Sequence, residues 1–153
     1  SEEEARDRSQ VFDVQLLSSR LAAASASLHA REPSLAIGYF GASTGAAAAL
    51  WAAADPTPPV AAIVSRGGRP DLARTRLAAV RAPTLLIVGE HDPEVLDLNR
   101  EALALMHGER ELVVVDGASH LFEEPGALER VADIAAKWFS AHFRNATPTE
   151  RTR

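Results

Sequence analysis

Apolar residues recur every three or four positions from Val11 to Leu28 (Val11, Val14, Leu17, Leu21, Ala24, Leu28), the spacing of one buried helix face. A helix over residues 9–31 is predicted, stopped by Pro33. The period then changes. Leu35-Ala36-Ile37-Gly38-Tyr39-Phe40 is a short, nearly continuous apolar run, the pattern of a strand buried on both faces of a parallel sheet. Gly41-Ala42-Ser43-Thr44-Gly45 breaks it, and the alanine-rich stretch Ala46 to Ala54 predicts a helix that ends at Asp55-Pro56. Val60 to Val64 reads as a second strand, Leu72 to Val80 as a short crossing helix and Thr84 to Val88 as a third strand. A helix over residues 94–107, with Val95, Leu98, Ala102, Leu105 and Met106 inward, is closed by Gly108, and Glu111 to Val115 is the fourth strand. A last amphipathic helix over residues 125–143 turns Leu128, Val131, Ala135, Trp138 and Phe139 to the core, and residues 144–153 are expected to be a disordered tail.

Four apolar strands alternating with helices predict an α/β fold: a parallel sheet of about four strands with helices on both faces. The acidic residues 1–8 stand outside the helical pattern. They run into it with no strand before them, and the chain begins with Ser1, so further sequence upstream is expected and residues 9–143 are read as part of a domain.

Composition narrows the function. With 46% hydrophobic and 24% charged residues the chain is ordinary for a soluble domain, and a net charge of −5 with scattered basic residues lacks the footprint of nucleic-acid binding. The absence of cysteine excludes disulfides, thiolate metal sites and a cysteine nucleophile. No apolar run approaches the roughly 18 residues of a membrane span. A cytoplasmic location without membrane or nucleic-acid partners is the default expectation.

In open parallel sheets ligands bind beyond the carboxyl ends of the strands, so the residues that follow each strand are the candidates. They are Ser43 after the first, Arg66 to Arg69 after the second, Asp92 after the third and His120 after the fourth. The segment from Gly41 to Gly45 matches G-x-S-x-G, in which a serine on a tight strand-to-helix turn is exposed at the sheet edge. The plainer reading is a turn whose Ser43 or Thr44 caps a helix. His120 can accept the proton that makes a serine hydroxyl nucleophilic. His29, His107 and His142 lie at helix ends and His91 adjoins the acid. Asp92 would hold the far nitrogen of His120, or simply cap the helix before Pro93. Glu90 and Asp116 are rival carboxylates. Arg66 and Arg69 are candidates for a substrate rim, against a glycine-rich turn with two solvated arginines.

The order Ser43, Asp92, His120 is that of the α/β-hydrolases. Ile37 to Gly45, Ala82 to Asp92 and Val115 to Phe122 resemble the nucleophile elbow, acid loop and histidine loop of that superfamily, and the closest look is to small dienelactone-hydrolase-like proteins, some fused to a phosphoribosyltransferase. The resemblance implies that this is the C-terminal part of such a fold, acting without metal or cofactor on a small-molecule ester, thioester or lactone. It makes the N–H of Thr44 one oxyanion donor. It also departs from the family. Dienelactone hydrolase proper uses a cysteine where Ser43 stands, and the second oxyanion donor belongs to earlier strands that this sequence does not contain. The loss of one such donor lowers turnover about 10²–10³-fold. The first strand would then have a bare apolar edge, so pairing with an upstream segment or self-association as a homo-oligomer is expected, and a noncatalytic half-domain is the alternative. A nucleotide-binding doubly wound domain is disfavoured because the first turn lacks G-x-G-x-x-G.

Overall fold

Every residue of Thr84–Gly89 is buried, the condition of a strand covered on both faces. It lies at the centre of a computed structural model that describes residues 1–146. The chain runs α1 (Glu2–Arg31), β1 (Gly38–Ala42), α2 (Thr44–Ala53), β2 (Ala62–Arg66), a 3-10 helix (Pro70–Ala79), β3 (Thr84–Gly89), α3 (Pro93–Leu105), β4 (Arg110–Val115) and α4 (Ala127–Ala146). The strands form one parallel sheet in the order β1-β2-β3-β4, with helices on both faces, which is the α/β class that the sequence predicts.

Side-chain alternation divides the core into two layers. Tyr39 and Ile63 face α1, α2 and the 3-10 helix, while Val64, Leu85, Ile87 and Val115 face Val131 and Ala135 of α4. Because these parallel strands share one direction, their carboxyl ends and the loops after them gather along one edge of the sheet. No helix among the described residues is long and apolar enough to cross a membrane.

The element bounds differ from the predicted ones for physical reasons. β1 and β2 begin and end later than the apolar runs, because Ser65 and Arg66 pair with Gly41 and Ala42 although they are not hydrophobic. Hydrophobicity marks what is buried, whereas a strand extends as far as its backbone is paired. At the start of the chain, Ser1 caps α1 in a capping box with Glu4, and Glu2, Glu3 and Glu4 complement the positive end of the helix. The acidic residues 1–8, expected as a separate segment, are thus the cap and first turns of α1. At the other end, Arg144, Asn145 and Ala146 continue α4 where the tail was expected to have begun, and the rest of that tail lies outside the described residues.

The buried face of α1 also differs. Val14, Ser18 and Ser25 are buried, while Leu17 and Leu28 are 40% and 44% exposed. The reason is its neighbour. α2 presents alanines, so the helices approach closely and small serines fit the seam better than leucines; Ser25 also shares a hydrogen bond with the Tyr39 hydroxyl at 2.8 Å. Leu128 on α4, predicted inward, is likewise exposed, with Ala127 buried in its place.

Candidate active site

The end of β1 turns into α2 within a single residue. A Cβ on Gly41 would lie 2.6 Å from Gly45 O and 2.7 Å from the backbone of Ala46, so strand and helix approach this closely only over a glycine. The same argument does not hold for the second glycine of the motif. A Cβ on Gly45 would meet nothing within 4 Å, so its role in the elbow is not steric. Ser43 takes φ 49° and ψ −124°, a strained conformation for a residue with a side chain. Although it stands at the N-cap of α2, its side chain makes no capping hydrogen bond. Thr44 opens the helix, where backbone N–H groups have no partner in a preceding turn.

The Ser43 hydroxyl lies instead 3.3 Å from Nε2 of His120. On the far side of the ring, Nδ1 is 2.6 Å from Oδ2 of Asp92. Asp92 is also an N-cap by position and also makes no capping bond, so the simple capping readings of Ser43 and Asp92 do not describe these side chains. A carboxylate at Nδ1 favours the tautomer with its proton there, which leaves Nε2 to accept from the serine hydroxyl. Asp92 is largely enclosed at 14% exposure, whereas His120 remains accessible at 42%.

Three further contacts lace the acid loop to the histidine loop. Glu90 N donates to Val115 O at 3.0 Å, His91 N to Ala118 O at 3.0 Å, and Gly117 N to the Glu90 carboxylate at 2.7 Å. Glu90, a rival acid by sequence, thus holds the backbone of the loop that bears His120. Asp116 is exposed. On the other side of His120, Ser119 N donates to Oε1 of Glu124 at 3.0 Å. Hydrogen bonds from the Ser119 side chain first, then from the backbone of Glu124 itself and of Ser119, hold the Glu124 carboxyl below the usual range.

Arg66 and Arg69, the two arginines at the end of β2 and just beyond it, each have a partner within the protein. Arg66 Nη1 donates to Leu121 O at 3.4 Å, and its guanidinium stands 5.4 Å from the centre of the Phe122 ring. Arg69 forks onto Asp71 through Nε at 2.9 Å and Nη2 at 2.8 Å. That side-chain bond raises its already high pKa. Both side chains are engaged by the protein itself, Arg69 by a neighbour two residues along the chain and Arg66 by a loop 55 residues away, which only the chain crossing brings near.

Two polar residues escaped the sequence reading. Glu124 precedes a helix and looks like ordinary surface charge. Asn99 is completely buried on α3, and the signal was its place in the series Leu96, Asn99, Ala102, where a polar residue interrupts an apolar stripe.

No protein-family model matches the chain. A crystal structure of dienelactone hydrolase from Anabaena variabilis aligns with a TM-score of 0.83 and 51% identity, over 86% of this chain and 62% of that one. A CIB-like hydrolase from Thermoplasma acidophilum aligns with a TM-score of 0.62 at 20% identity, over 81% and 60% of the two chains, a likeness of fold alone. Two curated proteins of Mycobacterium tuberculosis strains CDC 1551 and H37Rv, each named "Putative phosphoribosyl transferase", are 57% identical over 150 residues, which is 96% of this chain and 34% of theirs. The chain therefore spans about a third of the length of the curated relatives it matches. Its architecture is that of the α/β-hydrolases. The chain resembles the dienelactone-hydrolase-like proteins, and the resemblance to chains fused with a phosphoribosyltransferase agrees with the names of the mycobacterial relatives.

Proposed function

We propose that the chain is the triad-bearing part of a serine hydrolase that cleaves a small carboxylic ester, thioester or lactone through an acyl-enzyme. The observation that carries this reading is the relay of Ser43 Oγ, His120 Nε2 and Nδ1, and Asp92 Oδ2, with separations of 3.3 and 2.6 Å. The likeness to a dienelactone hydrolase supports the same reaction class. Ser43 Oγ attacks the carbonyl carbon while Nε2 of His120 takes the hydroxyl proton, and Asp92 stabilises the resulting imidazolium. The tetrahedral oxyanion points to the Thr44 N–H. Collapse expels the alcohol, thiol or ring oxygen with the proton from His120. Water then attacks the acyl-enzyme with His120 again as base, releasing the acid and restoring Ser43. In this reading residues 9–143 are a partial hydrolase domain, and the second oxyanion donor comes from a segment outside this sequence.

Fluorophosphonate labelling with mass-spectrometric site mapping tests the assignment. The adduct is expected on Ser43, absent in Ser43→Ala and strongly slowed in His120→Ala, with both variants melting as cooperatively as the parent chain. Labelling that persists at the same rate in Ser43→Ala overturns it.

A second reading, a noncatalytic half-domain that pairs through its sheet, is favoured by one observation. β1 lies at an end of the sheet, beside a groove of about 490 Å³ lined by Leu17, Leu21 and Phe40, and Phe40 itself is 53% exposed. An open strand edge next to apolar surface invites pairing. Site-specific labelling of Ser43 would exclude a purely noncatalytic role.

A further inference from the structure

The loop Arg66 to Arg69, between β2 and the 3-10 helix, touches both Ser43 and His120. The N–H of Arg69 donates to Ser43 O at 3.1 Å. A Cβ on Gly67 would lie 3.4 Å from Nδ1, Cε1 and the carbonyl oxygen of His120, so the loop backbone runs close along the imidazole. Gly67 N–H is anchored to Ile87 O at 2.7 Å, and Arg66 reaches Leu121, the residue after His120. One short segment thus seats the backbone of the candidate nucleophile and flanks its candidate base.

This segment is held by Asn99. The Nδ2 of Asn99 donates to Gly68 O at 3.1 Å and to Val95 O, in its own helix, at 2.7 Å. Gly68 lies flush against the fold: a Cβ there would collide with Ser65 Oγ and come within 2.7 Å of the Ala46 Cβ. Burying an asparagine here is not an efficient way to stabilise α3. Its Oδ1 has no hydrogen-bond partner among the described residues, and an unsatisfied buried polar group costs about 1–3 kcal/mol. Leucine would fill similar space without an unpaired Oδ1, but would leave the buried Gly68 O without its donor. Departures from the packing rule of this kind concentrate where geometry matters more than stability.

We propose that Asn99 is a positioning residue: through Gly68 O it fixes the Arg66–Arg69 loop, and the loop sets the separation of Ser43 from His120. The catalytic consequence rests on the acyl-enzyme reading, whereas the clamp itself does not. A displacement on the order of 1 Å between reacting groups lowers rates about 10²-fold, so loosening the loop acts on chemistry rather than on substrate affinity.

Two isosteric variants test this. Asn99→Asp replaces the donor with an acceptor, and Asn99→Leu removes the polar group while keeping most of the volume. Backbone amide hydrogen exchange is expected to speed up at Gly67 and Arg69 in both, with β3 amides unchanged. Fluorophosphonate labelling of Ser43 and kcat toward p-nitrophenyl acetate should fall by roughly 10- to 100-fold, with KM nearly constant. Unchanged exchange at Arg69 overturns the clamp. Faster exchange with undiminished labelling overturns its link to the site. A parent chain that does not label at Ser43 overturns the hydrolase reading and the catalytic half of the proposal, while the exchange pattern still decides the clamp. If neither variant folds, Asn99→Ser, whose short hydroxyl does not reach Gly68 O, carries the same test, and unchanged exchange at Arg69 in it overturns the proposal.

Discussion

Nδ1 of His120 lies 2.6 Å from Oδ2 of Asp92, and this carboxylate heads α3 without bonding a backbone N–H of that helix. A capping aspartate usually stabilises its helix by about 1 kcal/mol. Here the side chain turns to the imidazole instead. Asp92→Asn should therefore alter stability little but allow the wrong imidazole tautomer, lowering kcat by on the order of 10⁴, the effect of the same change in the serine-protease template. His91→Ala should keep most of the activity. Steady-state ester hydrolysis and thermal melts of both variants decide the matter; an Asp92→Asn variant within about tenfold of the parent chain would remove Asp92 from the relay.

Glu124 receives hydrogen bonds from Ser119, next to His120, and its carboxyl is held below the usual range. Its folded pKa is lower than its unfolded one, so its contribution to stability is present above the unfolded value and is lost as pH falls through the folded value. The histidine loop is accordingly expected to loosen in acid, not near neutrality. In ¹H–¹⁵N spectra the Ser119 amide should titrate with a midpoint below about 4.3, the ordinary glutamate value, and Glu124→Gln should abolish that titration. A midpoint above the ordinary value contradicts the arrangement.

Phe40 is 53% exposed on β1, the end strand of the sheet. Exposed strands are commonly protected by charge, lysine above all, because a desolvated ammonium opposes edge-to-edge pairing. Phe40→Lys is expected to shift the chain toward monomer in size-exclusion chromatography with light scattering, with an unchanged melting transition because little buried area is lost. Identical association states for the two chains would place the contact elsewhere.

The sequence by itself determined the order of elements and the parallel sheet, because burial on both faces requires continuous apolar strands such as Leu85-Leu86-Ile87-Val88 separated by amphipathic helices. It also determined which residues follow each strand, since parallel strands bring their carboxyl ends to one edge whatever their exact bounds. What only the tertiary structure decided is how those residues are engaged. Ser43 and Asp92 are both plausible helix caps in a linear reading, and the choice between a cap and a relay depends on a loop 77 residues from Ser43 in sequence. Likewise, nothing local places the Arg66 guanidinium against Leu121 and Phe122, which belong to a loop 55 residues away in sequence. Asn99 shows the reason most plainly. Periodicity reports how much of a helix is covered, but the partner of a buried polar group, here Gly68 O from a different crossover, exists only once the chain has folded back on itself.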